Sequence, residues 1–262
     1  MRAMRRPLLP ASSILLVLLI SSAGSSCGWG ARPIAGGTHT VAPTASLPSA
    51  SPPSPTAPPG TPTILPTIDL PNDAPRAYPN DVGVDQVPIA DLLPPGAHAT
   101  GVSRLSASQG SVPEIAAAWT RGSNPFAAEH GLVVWQPFDA GKPWRVVYAF
   151  TDGPSSGVLG VRFETGDLTG DGVSDALTFE DTGGSGGCGV WRVVESGTGS
   201  ASEIFRRGTC DAQVEMGAGA LLIREAQYEP GDAHCCPSRF RTTTLRWNGG
   251  RWVVVHRTLT RA

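Results

Sequence analysis

The sequence predicts a mainly β protein: an antiparallel β-meander, built as a small sandwich or a partial propeller, with one short helix and a disordered tether ahead of it. Three observations predict this. Beyond residue 130 apolar residues recur with a period of two in short runs. Turn residues separate the runs, as in Asp152-Gly153-Pro154, the Gly183–Gly189 stretch and Asn248-Gly249. Upstream, proline and small polar residues replace any such pattern. The chain divides accordingly into a signal peptide (1–26), a Pro/Ser/Thr-rich linker (27–75), an extended lead-in (76–110) and a β-rich domain (111–262).

Arg2, Arg5 and Arg6 form a positively charged start. The apolar stretch Ile14–Ile20 follows, well short of the roughly 20 residues needed to cross a bilayer. Small residues 21–26 then lead into Cys27. This pattern resembles a bacterial lipoprotein signal, with Gly24 where that family prefers leucine. The resemblance implies acylation of Cys27 and anchoring on the outer face of the cell membrane. The alternative is ordinary cleavage near Ala23 or Ser25, which leaves a secreted chain with a free Cys27 thiol.

No charged residue occurs between Pro33 and Ile68, and residues 43–66 are dense in proline, serine, threonine and alanine. Such a composition buries too little apolar surface to offset its ordering entropy. Held extended by proline at about 3 Å per residue, residues 27–75 reach on the order of 100 Å, enough to cross a cell-wall layer. A leader with no length requirement would have the same composition.

The prolines between Pro71 and Pro95 forbid long regular elements in the lead-in. Ser111-Val112-Pro113-Glu114 reads as a capped helix start, with Ile115 and Trp119 on one face and Gly122 as the stop. Candidate strands follow at 132–136, 144–150, 158–164, 175–180, 189–195, 203–207, 220–227, 242–247 and 252–257. Val134-Trp135 before Trp144, separated by the turn Asp139-Ala140-Gly141, echoes Arg246-Trp247 before Trp252. The echo fits either a weak internal duplication or cross-strand tryptophan pairing.

Gly166-Asp167-Leu168-Thr169-Gly170-Asp171-Gly172-Val173-Ser174-Asp175 places three carboxylates, a hydroxyl and tight-turning glycines in one loop. Clustered oxygens of this kind suit a hard cation such as calcium, and without one the carboxylates repel each other. The loop resembles the calcium loops of the FG-GAP and VCBS repeat families, present here in one copy. That resemblance implies side-chain ligands from Asp167, Thr169, Asp171 and Asp175, a carbonyl from Val173, and a structural calcium. An EF-hand is excluded: its twelfth loop position would be Thr178 rather than glutamate, and the flanks read as strands. The alternative is a polar turn held by the aspartates' own hydrogen bonds to the backbone.

Besides Cys27 there are four cysteines, Cys188, Cys210, Cys235 and Cys236. In an exported chain they are expected to be oxidised. A hairpin centred on Gly199 sets Cys188 opposite Cys210. Cys235 and Cys236 then either pair with each other or reach elsewhere. The Cys-Cys-Pro-Ser run and the following Arg246-Trp247-Asn248-Gly249-Gly250 resemble the C-terminal part of surface lipoproteins of actinobacteria, which implies a location and no activity.

Removing the four arginines upstream of Asp69 from the 20 basic residues leaves 16 against 22 acidic ones, a net charge of about −6. A mildly acidic domain without a basic stripe argues against nucleic-acid binding. Neither a phosphate-binding loop nor a nucleophile elbow is present. The expected function is an exported, lipid-anchored, calcium-stabilised binding or structural module with a cell-wall or protein partner. Two alternatives stand beside it: an exported hydrolase with carboxylate chemistry, and a thiol or metal sensor at His234-Cys235-Cys236.

Overall fold

Strands dominate because apolar and polar side chains alternate along most of the chain, and hairpin turns of glycine, asparagine and aspartate join them. The structure is a computed structural model describing residues 68–108, 110–138 and 143–262. The export signal, Cys27, the tether to residue 67 and the Asp139-Ala140-Gly141 turn lie outside the described residues.

Among the described residues, thirteen strands pair antiparallel in three sheets, and a short 3-10 turn spans Ile89–Leu92. The first sheet holds β1 (Ala77–Tyr78), β2 (Ala97–Leu105), β3 (Glu114–Arg121), β4 (Glu129–Pro137) and β5 (Trp144–Asp152) in the order β1-β5-β4-β3-β2. The second runs in chain order through β6 (Gly160–Gly166), β7 (Asp175–Gly183), β8 (Cys188–Gly197) and β9 (Ser200–Thr209). The third does the same through β10 (Ala212–Gly217), β11 (Ala220–Gln227), β12 (Arg239–Trp247) and β13 (Trp252–Arg261). The fold is therefore a β-meander without a closed barrel.

Three apolar clusters stack these layers. Ile115, Ala117, Trp119, Val133 and Trp135 bury one face of the first sheet under the lead-in residues Leu70, Val87, Leu92 and Leu93. Ala116, Ala118, Leu132 and Val134, on the opposite face, meet Val161, Ala176 and Val194 of the second sheet. The second sheet's far face, with Leu177, Phe179, Trp191 and Val193, packs on Val214, Leu221, Ile223 and Leu245 of the third.

The expected helix at 111–122 is a strand instead. β3 is central in the first sheet, between β2 and β4, and Ile115 through Trp119 are fully buried on both faces. Three alanines suit that thin, doubly covered strand, and the packing of both faces overrides their helix propensity. Ser111 does not cap Glu114; its hydroxyl oxygen accepts the Ser108 amide at 2.6 Å. Part of the lead-in is also regular, since β2 occupies 97–105, and β10 was not foreseen. The two tryptophan hairpins differ: Trp247 faces Trp252, whereas Trp144 faces Pro137 and Trp135 faces Val146. The register therefore gives no support to a duplication.

One glycine is required by packing rather than by a turn. A Cβ on Gly131 would lie 2.6 Å from the Trp119 indole and 2.5 Å from the Phe150 carbonyl. Between the first and second sheets runs a buried ion network. Arg192 is paired through Nε and Nη2 with the buried Glu180 and donates from Nη1 to Glu203 at 2.6 Å. Tyr148 donates to the same Glu203 carboxylate at 3.3 Å, and the Arg192 guanidinium lies 4.7 Å from the Phe150 ring centre.

Candidate functional site: the acidic loop and the groove beside the third sheet

The acidic loop joins β6 to β7. Asp175 opens β7 and is wholly buried. Its Oδ2 accepts the Leu168 and Thr169 amides at 2.8 and 2.9 Å, and its Oδ1 accepts the Ser196 amide at 3.3 Å. Burial pushes this carboxyl up to about 7; the three amides pull it back down, and the nearby Asp171 raises it further. Asp167 accepts the Gly170 amide at 2.6 Å and the Gly172 amide at 3.1 Å. Asp171 accepts the Val173 amide at 2.8 Å. Gly170 and Gly172 supply the positive φ values, 81° and 84°, that let the chain fold back on these carboxylates.

The structure thus brings Asp167, Thr169, Asp171, Val173 and Asp175 into one loop, with each aspartate engaged by backbone amides. Asp175 turns inward, Asp167 and Asp171 lie at the surface, and the Thr169 hydroxyl is buried without a partner among the described residues. No three acidic, histidine or cysteine side chains of the described residues converge on one point.

Near Asp175 lies a second buried acid, which the sequence suggested as part of a helix cap. Glu114 is almost fully buried at the start of β3, and both its carboxyl oxygens lack a hydrogen bond of standard geometry. Burial raises it to about 7; the Ser196 hydroxyl and Gln136 amide lower it, and Asp175 raises it again. Gln136 accepts the Gly199 amide at 3.0 Å, so this buried polar cluster ties β3 and β4 to the β8–β9 turn.

The cysteines divide as the hairpin register predicts. β8 and β9 pair from Gly197↔Ser200 to Gly189↔Thr209, and Cys188 bonds Cys210 just beyond. Cys235 and Cys236 are exposed free thiols with their sulfurs 2.8 Å apart, so the expected second disulfide is not formed among the described residues. His234 lies beside them. Its ring stacks on Tyr228 at 5.5 Å, and its Nε2 stands 3.1 Å from Asp211 Oδ2.

These residues form one wall of a cavity of about 530 Å³ where the second and third sheets diverge. Arg162, Phe179 and Trp191 come from the second sheet, and Arg224 and Phe240 from the third. The guanidinium of Arg162 lies 4.5 Å from the Phe179 ring centre, and that of Arg224 lies 3.9 Å from the ring centre of Phe240. Both carboxylates at its edge are engaged: Asp181 accepts the Gly183 amide at 2.7 Å, and Asp211 faces His234. Nothing in the sequence marked Arg162, Trp191 or Arg224, because the rings and strands that assemble around them are distant along the chain.

A second cavity, of about 600 Å³, lies between the lead-in and the β8–β9 turn, and is lined by Val82, Val84, Val112, Pro113 and Trp144. Its rim passes through Pro137 and Phe138 toward residues 139–142, which are outside the described set. No site is assigned there. No protein-family model matches the sequence, and neither a curated protein nor a solved structure does.

Proposed function

We propose that the chain is an exported, lipid-anchored β-module that works by binding outside the cell, with the groove between its second and third sheets as the binding face. The observation that carries this reading is the groove's lining of aromatic and guanidinium groups. A carboxylate hydrolase needs two acids facing one substrate bond, free to donate and accept protons. In the groove the two acids, Asp181 and Asp211, each already meet a group of the chain, the Gly183 amide and His234. The test is incubation of the full chain with solubilised cell-wall fragments. Binding raises the melting temperature and leaves the fragment masses unchanged, whereas progressive shortening of the fragments would favour the hydrolase. Acylation is tested by Cys27→Ser, which should move the protein from the membrane fraction to the medium.

A structural calcium at the acidic loop belongs to the same reading. Each carboxylate offers about four acceptor sites, of which Asp171 uses one and Asp167 two. The Thr169 hydroxyl, at the third position of the loop, has no partner among the described residues. Asp175 is committed to three amides and serves as the loop's internal anchor. Calcium should raise the melting temperature over chelator, and Asp171→Ala should abolish the difference. An unchanged melting curve in chelator removes calcium from the account.

The adjacent thiols favour a second reading, a thiol sensor at His234-Cys235-Cys236. Free-thiol titration of the exported protein separates the two. Two reactive thiols support the sensor; none leaves the binding module alone.

A further inference from the structure

Resting on the binding-module reading, we infer that the groove between the second and third sheets takes an acidic saccharide, recognised through its carboxylates by Arg162 and Arg224. Neither arginine has a carboxylate partner among the described residues. Of the fifteen arginines among the described residues, Arg121, Arg192, Arg207, Arg239 and Arg241 meet acids, and Arg162 and Arg224 are among those that do not.

Each of the two is instead held over an aromatic ring, Arg162 over Phe179 and Arg224 over Phe240. Stacking uses the guanidinium face and leaves its N–H edges for a planar, bidentate acceptor. A carboxylate matches that edge in geometry and charge.

The other groups of the groove point the same way. Trp191 is only 7% exposed and adds its ring to the cavity wall. Gln213 and Ser185 add polar groups at the rim. Asp181 accepts the Gly183 amide at 2.7 Å and Asp211 lies 3.1 Å from His234, and neither forms an ion pair with Arg162 or Arg224 among the described residues. The groove therefore offers two guanidinium edges beside ring faces. A ligand complementary to it carries negative charge, many acceptor oxygens and a ring-sized apolar face, which together describe a uronic-acid sugar. A volume of about 530 Å³ suits a ligand of a few rings.

The experiment titrates the full chain calorimetrically with a trisaccharide of galacturonic acid and with its methyl ester, which keeps the body and removes the charge. The acid should bind at least tenfold more tightly than the ester and weaken as salt is raised. Arg162→Ala and Arg224→Ala should each weaken it roughly tenfold, the loss expected for one charged hydrogen-bonding partner. Arg224→Lys should recover only part of that, because the fork geometry is lost. Melting temperatures near wild type will show that the variants fold. Equal binding of acid and ester, no binding of the acid, or full binding by both alanine variants overturns the inference. Shortening of the trisaccharide, read by mass spectrometry, would instead overturn the binding-module reading on which it rests.

Discussion

The two faces of the second sheet treat charge in opposite ways. Toward the first sheet, Arg192 is enclosed: Glu180, Glu203 and Tyr148 form one hydrogen-bonded group around it, and Phe150 covers its face. Toward the third sheet, Arg162 stacks on Phe179 and Arg224 on Phe240, and no acid among the described residues pairs with either. The chemistry of the side chain is the same in all three cases. The difference lies in whether the layers close over it. Where they close, the guanidinium is spent on holding the fold; where they diverge, it is left for a ligand.

The contrast is broken most severely at its closed end. Glu180→Ala leaves the Arg192 charge buried with half its partners gone, and should cost about 3–5 kcal/mol of stability, read by urea denaturation. A loss under about 1 kcal/mol would mean that water reaches this interface and that it is not closed. Next in size is the disulfide that staples the second sheet. Cys188→Ala with Cys210→Ala opens a link spanning 22 residues and should cost about 3 kcal/mol in the same assay.

A smaller effect tests the buried acid between the first two sheets. Glu114 is raised to about 7 by burial, so the folded protein holds its proton where the unfolded chain releases it. Its contribution to stability is complete below the ordinary glutamate range, near 4.3, and is lost as pH rises through 7. The buried Asp175, at about 7, and Asp152, at about 6, act in the same direction. Stability should therefore fall between pH 5 and pH 8, and Glu114→Gln should make that fall shallower without abolishing it. An unaltered slope would show that Glu114 keeps its usual affinity for protons. At the open end, Arg224→Ala should change stability by no more than about 0.5 kcal/mol.

The same division explains what could be read from the chain. Strands from β4 onward, β10 excepted, were legible because they are rich in β-branched and aromatic residues and bounded by turn residues such as Gly199 and Asn248-Gly249. β3 was not, because the run Ala116-Ala117-Ala118 carries helix propensity and Ser111 and Glu114 imitate a helix cap. Cys188–Cys210 followed from hairpin register, a local property. Arg162 and Arg224 depend on rings brought in from other strands, so their role exists only after the sheets have stacked. The acidic loop was recognisable from its spacing, but the inward turn of Asp175 depends on Ser196, which the fold delivers from β8.

The most direct test of this account follows the arginine Nε–H signals by NMR while the galacturonic acid trisaccharide is added. Arg192 should exchange slowly with solvent and stay in place, while Arg162 and Arg224 exchange quickly and shift with the ligand. Movement of Arg192 together with them, or a shift of none of the three, would contradict the division between enclosed and available charge.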